Sequence, residues 1–329
     1  MTELRLIDAI RVALDEAMAN DPAVCLLGED ITLGGPFGAT KALVDRYGEL
    51  RVRNTPISEG TVLGLAVGAA LAGLRPVVEV MFVDFITLAM DQLVNHAAKL
   101  HYMSGGQLRV PLTIRAQCGA VGGMGAHHSQ SLEAWFAHVP GLKVVSPSTP
   151  ADAKGLLRAA IRDDNPVLFL EHRGLYWVRG EVPEGVEVPL GRAVVRRAGR
   201  DVTVVSWSRT VATALDAAAA LAAEGLDVEV VDLRTLAPLD LETVVASVRR
   251  TGHLIVAHEA VETGGLGAEI AAAVASAAGD ALRAPAVRVG APFVPVPAGP
   301  ELEALFVPSA ERLADAIRRV AARTAAPLT

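Results

Sequence analysis

At 329 residues the chain exceeds the size at which one hydrophobic core usually keeps growing, so two domains are the default expectation. Its composition, 51% hydrophobic and 20% charged, is that of a folded globular protein and excludes extensive disorder. A formal net charge of −7 with no run of Lys or Arg argues against a nucleic-acid-binding surface.

The chain opens with MTELRLIDAI, which alternates charged and apolar residues like an amphipathic helix. It lacks the basic start and apolar run of a signal peptide. Short β-branched runs follow at 24–28, 77–82, 110–115, 143–146 and 167–171 and read as buried strands. Helix-like segments lie between them, notably 84–103 and 149–163. The most apolar stretch, 61–74, would span about 21 Å as a helix, short of a bilayer's roughly 30 Å core. Residues 172–190, rich in Pro and Gly, read as a connecting loop. Alternation restarts with strands at 202–206, 228–232 and 254–258 and helices at 210–224, 241–250 and from about 265. The expectation is an α/β protein of two domains, 1–190 and 191–329, each a mostly parallel sheet with helices on both faces. Cys25 and Cys118 suit buried thiols in a reducing compartment. A cytoplasmic protein with no membrane and no nucleic-acid partner is expected.

Four segments carry candidate chemistry. In NTPISEG, Pro56 ends an extended piece, Ser58 is an N-cap candidate, and Glu59 falls in the first helical turn. A lone Glu there commonly just complements the helix dipole. The apolar helix that follows favours another role, because burial favours a protonated carboxyl and suits it to sharing a proton with a ligand nitrogen. Gly60, Gly64, Gly68 and Ala72 then form a side-chain-poor stripe, for close packing within the domain or against a second subunit. GAVGGMGAHHSQ, residues 119–130, is a Gly-rich loop with neither the Gly-Lys-Ser/Thr of a phosphate loop nor a zinc-ligand spacing. Its histidines are equally open to an acid/base or substrate-orienting role and to a structural one. ETGGLGAEI, residues 262–270, lacks G-x-G-x-x-G spacing, and tight packing of a helix start explains it better than a dinucleotide site.

These segments, with LLGED, VGAALAGLRPVVE, AMDQLVN, YMSGG, HHSQSLEAWFAHVPGLKVVSPSTPADAKGLL, AIRDDNP and DLRTLAPLD, resemble the beta subunits of pyruvate, acetoin and branched-chain 2-oxo-acid dehydrogenases along essentially the whole chain. The resemblance implies a thiamine-diphosphate pyrimidine-binding domain followed by a transketolase C-terminal-like domain. It also implies oxidative decarboxylation of a 2-oxo acid, pyruvate first, with reductive acylation of a lipoyl group (EC 1.2.4.-). Acetoin- or branched-chain-specific versions and a split transketolase-like transferase are the alternatives.

By resemblance, Glu59 would hydrogen-bond N1′ of the cofactor's aminopyrimidine and so promote loss of the thiazolium C2 proton. Phe85 would pack on the pyrimidine, Glu29 and Ile57 would line its pocket, and His128 would stand at the substrate end. Main-chain oxygens of Leu112, Ala160, Ile161, Asp163 and Asn165 match a potassium site of some members. The Gly-Asp-Gly motif that holds the diphosphate and Mg²⁺ in related enzymes does not occur here; Gly279-Asp280 is followed by Ala281. The Mg²⁺ ligands are therefore expected on a partner alpha subunit, in an α2β2 heterotetramer that serves a lipoyl acyltransferase core. Leu88, where pyruvate-specific relatives often carry Gln, and His127, often Gln, leave the substrate open.

Overall fold

The computed structural model describes residues 1–323; residues 324–329, at the end of the expected second domain, lie outside the described residues. The chain divides into two compact units. One comprises Met1–Cys118, Trp135–Leu190 and Leu236–Pro238, and the other Gly119–Ala134, Gly191–Thr235 and the chain from Leu239.

The first unit is built on a seven-stranded sheet. Its spatial order is Thr235–Ala237, Lys143–Val145, Val167–His172, Thr113–Cys118, Arg75–Val80, Val24–Gly28 and Val52–Asn54. Every pairing from Lys143–Val145 to Val52–Asn54 is parallel. Parallel strands are covered on both faces, which is why these runs are continuously apolar rather than alternating. Val24–Gly28 is buried at each residue.

On one face the helix Leu6–Asn20 buries Leu6, Ile7, Ile10, Ala13 and Leu14, a spacing that gathers them on one stripe. They share a core with Leu156, Leu157, Ala160 and Ile161 of the helix Pro150–Arg162. Each fully buried Leu or Ile there contributes about 1.5–3 kcal/mol relative to exposure. Thr149 caps that second helix, its hydroxyl accepting from the Asp152 amide at 3.2 Å, and Pro150 fills the first turn.

The second unit has a five-stranded sheet ordered Val287–Ala291, Leu254–Val261, Val202–Ser206, Val228–Asp232 and Val194–Arg197. Its pairings are parallel except the last, which is antiparallel. Ala214, Ala217, Ala218 and Leu221 of the helix Thr210–Ala222 pack with Leu313, Ile317 and Val320 of the helix Ala310–Ala321. Asp240 caps the helix Leu241–Thr251 by accepting from the Thr243 amide at 3.1 Å, and Gly252 closes it in the left-handed conformation. The α/β class and the two mostly parallel sheets are those the alternating pattern implies.

The structure departs from the sequence reading in three places. Residues 2–5 are a strand, and the helix starts only at Leu6; its partner is Arg179–Val182, inside the stretch read as loop. The pair forms an antiparallel two-stranded ribbon too short and too polar to show a period. Residues 84–103 form not one helix but short pieces, with a π-helical run over Asp91–Ala97. The edge strand Thr235–Ala237, three residues long, was unreadable for the same reason of length. Among the described residues no helix is long and apolar enough to cross a membrane.

Candidate active site

In an open parallel sheet, ligands bind beyond the carboxyl ends of the strands. Four of the expected site residues follow three adjacent strand ends of the first unit. Glu29 directly follows Val24–Gly28, Ile57 and Glu59 follow Val52–Asn54, and Phe85 follows Arg75–Val80. The first two strand ends are tied together, the Thr55 amide donating to Gly28 O at 3.0 Å and the Thr32 amide to the Asn54 side chain at 3.0 Å. Gly28 must be glycine, because a Cβ there would meet Glu79 O at 2.8 Å.

Glu59 opens the helix Glu59–Leu71 and is only 9% exposed. Ser58 occupies the N-cap position, but its hydroxyl turns to the Thr61 hydroxyl at 2.8 Å and makes no cap bond to the backbone. Among the described residues no protein group hydrogen-bonds the Glu59 carboxyl. Its neighbour Glu29 has its pKa raised, first by burial and then by the negative charges of Glu59 and Asp30. Two carboxyls at the mouth of a sheet, one buried without a protein donor, suit a ligand that brings a hydrogen-bonding nitrogen. Phe85 is half-buried and meets Phe82 edge to face at 5.6 Å, while Ile57 is 82% exposed and Leu88 67%. Large apolar side chains left this open call for cover from outside the unit.

The glycine stripe has two purposes. A Cβ at Gly60 would lie 3.3 Å from Leu88 O, and one at Gly64 would touch the Gln92 side chain, so these two glycines serve packing inside the unit. That limits the cross-subunit reading of the stripe to Gly68, which has open space around it, and Ala72, both of them exposed.

Beneath the strand ends lies a buried ionic cluster that sequence reasoning missed. Arg115 is 1% exposed and donates to Glu171 at 2.7 and 3.0 Å and to Glu79 at 2.6 Å, while the Tyr176 hydroxyl donates to Glu171 at 2.7 Å. Burial pushes the Glu79 carboxyl up against the pull of Arg115. Two carboxyls and one guanidinium at alternate positions of three neighbouring strands were the available signal.

His128 belongs to the second unit, within Gly119–Ala134, and is half-buried beside the exposed His127. The loop that carries it is pinned by groups remote in sequence. Glu259 accepts from the Ala120 amide, Arg209 donates to Ala120 O at 3.2 Å, and Glu303 accepts from the Gly123 amide at 2.8 Å. Met124 bridges Ala298 in antiparallel fashion. Gly123 has φ +68° and lies so close to Gly299 that a Cβ would meet its amide nitrogen at 2.9 Å, which accounts for glycine at this position. Just past the loop Glu133 is buried and accepts from the Trp207 indole at 3.2 Å. Burial pushes its carboxyl up to about 7, against its own backbone amide and the indole and with help from the charge of Glu259.

The GGLG segment is explained by packing. Cβ atoms at Gly265 and Gly267 would each stand 2.7 Å from the ring of His258, whose full burial holds it neutral, its pKa lowered to about 4.

The five residues expected to hold potassium do sit together in the first unit, where Thr113–Cys118 and Val167–His172 begin. Four of their five main-chain oxygens accept protein hydrogen bonds. Leu112 O accepts from the Val167 amide at 2.9 Å and Ala160 O from the Asp163 amide at 3.2 Å. Ile161 O and Asp163 O both accept from the Arg75 guanidinium at 3.2 Å, and Asp164 pairs with the same arginine at 2.7 Å. Arg75 thus already places a positive charge against two of these oxygens.

The fold and the strand-end carboxyls together define a transketolase-like enzyme half. Residues 2–178 match the transketolase pyrimidine-binding domain and residues 191–313 the transketolase C-terminal domain. Among solved structures, a split-gene transketolase described as an inactive beta4 tetramer superposes with a TM-score of 0.79 at 25% identity, covering 98% of this chain and 99% of that one. A transketolase from Leishmania mexicana shares the fold at a TM-score of 0.75, this chain spanning 48% of it.

Curated relatives narrow the class. The chain is 48% identical to the acetoin:2,6-dichlorophenolindophenol oxidoreductase subunit beta of Cupriavidus necator, over 94% of this chain and 95% of that one. It is 44% identical to the pyruvate dehydrogenase E1 component subunit beta of Rhizobium meliloti (97% of this chain, 70% of the relative) and 43% to that of Porphyra purpurea (97% of each). The chain belongs to the family of E1-type beta subunits of thiamine-diphosphate-dependent 2-oxo-acid dehydrogenases. It is an enzyme subunit, its pyrimidine-binding domain implies thiamine diphosphate, and a beta subunit implies an alpha partner.

Proposed function

We propose that this chain supplies the aminopyrimidine half of a thiamine-diphosphate site in a 2-oxo-acid dehydrogenase, with pyruvate as first substrate. The observation that carries the reading is Glu59, nine-tenths buried at a strand end, without a donor among the described residues and beside the raised carboxyl of Glu29. When bound, thiamine diphosphate supplies a carbon nucleophile and an electron sink for decarboxylation. Glu59 holds a proton at the aminopyrimidine N1′, Glu29 and Ile57 line the pocket, and Phe85 packs on the ring. His128 orients the reacting group at the substrate end.

The diphosphate and its Mg²⁺ fall to the alpha partner. This chain lacks Gly-Asp-Gly, and among its described residues no three His, Cys, Asp or Glu gather to hold a metal. An α2β2 enzyme in the cytoplasm, passing its acyl group to a lipoyl acyltransferase core, completes the proposal. Residues 1–190 serve as the pyrimidine-binding domain and 191–329 as the C-terminal one. An acetoin-cleaving version is favoured by one observation, the 48% identity to an acetoin oxidoreductase beta subunit.

The test is Glu59→Gln in the enzyme reconstituted with its alpha subunit. Assembly should persist while turnover falls by roughly 10²–10⁴-fold; near-normal turnover would sink the assignment. A panel of pyruvate, branched-chain 2-oxo acids and acetoin, read with an artificial electron acceptor, decides the substrate.

A further inference from the structure

The loop 119–130 has the composition of a mobile segment, since Gly119, Gly122, Gly123 and Gly125 all carry positive φ. Yet it is held at intervals along its length. At its entry the buried Glu259 carboxyl accepts from the Ala120 amide, and Gly119 N donates to Gln130 O at 3.2 Å, drawing the two ends of the loop together. At its middle the Glu303 carboxyl, 8% exposed, accepts from the Gly123 amide at 2.8 Å, and Gly299 N donates to Gly123 O at 3.4 Å. The Met124–Ala298 bridge extends the same contact. The helix Pro300–Phe306 that carries Glu303 is fixed in turn by Phe306, which is buried with Ala120, Ala291 and Val296.

Carboxylates accepting from backbone amides make charge-assisted bonds, stronger than neutral ones, and burial strengthens them further. A glycine-rich backbone has many alternative conformations, so such bonds restrict it more than they would a stiff segment. Catalytic side chains on loops reach their geometry only when the backbone beneath them is fixed, and a misplacement of about 1 Å costs on the order of a hundredfold in rate.

We propose that Glu259 and Glu303 are positioning residues, two carboxylates that clamp the loop 119–130 by its backbone amides and thereby fix the place of His128. The inference rests on the role given to His128 in the proposed function. It adds that this role depends on residues 139 and 180 positions away in sequence from the amides they hold.

The experiment uses the reconstituted enzyme with its alpha subunit. His128→Ala, Glu303→Ala, Glu303→Gln, Glu259→Gln and the double variant His128→Ala/Glu303→Ala are compared for kcat and KM with the 2-oxo acid. Hydrogen exchange of the loop amides is measured alongside. Glu303→Ala should lower kcat by about tenfold with little change in KM, and should speed exchange at residues 119–128 by a similar factor while the sheet amides stay protected. Glu303→Gln keeps an acceptor oxygen and should recover most of the loss; Glu259→Gln should fall between the two.

In the His128→Ala background, Glu303→Ala should cost less than about twofold, because the group it positions has gone. Full multiplication of the two losses would overturn the clamp and leave Glu303 a general structural residue. Unchanged loop exchange in Glu303→Ala and Glu259→Gln would also overturn it. A silent His128→Ala would remove His128 from the proposed function and refute the catalytic consequence claimed here, even if the loop exchanged faster.

Discussion

The surroundings of Glu59 and of His128 are built on opposite plans. Around Glu59 the chain leaves work undone: a buried carboxyl without a donor among the described residues, a neighbouring carboxyl pushed up, and Ile57 and Leu88 open to solvent. Around His128 the chain finishes the work itself, pinning a glycine-rich loop with Glu259, Glu303, Arg209 and a backbone bridge. On the proposed reading the first region is completed by a ligand and a second subunit. The second is pre-organised from within. A mostly buried carboxyl at a strand end, with no hydrogen bond from the described protein groups, suits something that binds there.

The largest effect expected on this comparison is in the first region. Glu59→Gln should reduce turnover of the reconstituted enzyme by roughly 10²–10⁴-fold with thermal stability unchanged, because no protein hydrogen bond is lost. Next, Glu171→Ala beneath the strand ends should destabilise the chain by about 3–5 kcal/mol in denaturant unfolding. It strips Arg115 of its bidentate partner and Tyr176 of its acceptor inside the core. A loss under about 1 kcal/mol would mean that the cluster is not the buried network described.

A third expectation concerns pH. Glu133 titrates near 7 in the folded chain and lower when unfolded, so the folded state binds the extra proton between about 4.5 and 7 and stability falls as pH rises through that window. His258, lowered to about 4, acts in the opposite sense: its contribution is lost as pH falls from about 6.5 to 4. In the wild type the two slopes oppose each other. Glu133→Gln should therefore expose the histidine's acid sensitivity, giving an unfolding free energy that drops more steeply below pH 6.5 than that of the parent; an unchanged pH profile would contradict the assignment. The smallest effect is a null one. With Arg75 engaging Ile161 O and Asp163 O, exchanging choline for potassium at constant ionic strength should move the melting temperature of the chain by less than about 1 °C, and a clear potassium-specific rise would establish the cation site that the resemblance implies.

Much of this was legible in the sequence where the signal is local. Buried parallel strands announce themselves as continuous β-branched runs, and the helix read at 241–250 lies within one residue of the observed Leu241–Thr251. Glu59 could be singled out because an acidic residue opens an otherwise apolar helix. What escaped was non-local or too short to have a period. The ribbon of Thr2–Arg5 with Arg179–Val182 joins segments at opposite ends of the first unit's sequence. Glu259 and Glu303 look like ordinary helix or strand acids until the backbone amides that they hold are brought to them. The reading of Gly265 and Gly267 as close packing was right, but its object, the ring of His258, could only be seen in the structure. The potassium ligands were carried over by resemblance alone, and Arg75, part of the quoted GLRPVVE run, gave no sign from sequence that it reaches two of them.

The central claim is that this chain holds one half of a cofactor site, finished by an alpha subunit. It is tested most directly by measuring 2-oxo-acid decarboxylation, with thiamine diphosphate, Mg²⁺ and an artificial electron acceptor, for the purified chain alone and after mixing with its alpha subunit. Turnover is expected only in the mixture and should disappear when the mixed chain carries Glu59→Gln. Equal turnover by the chain alone would contradict the account.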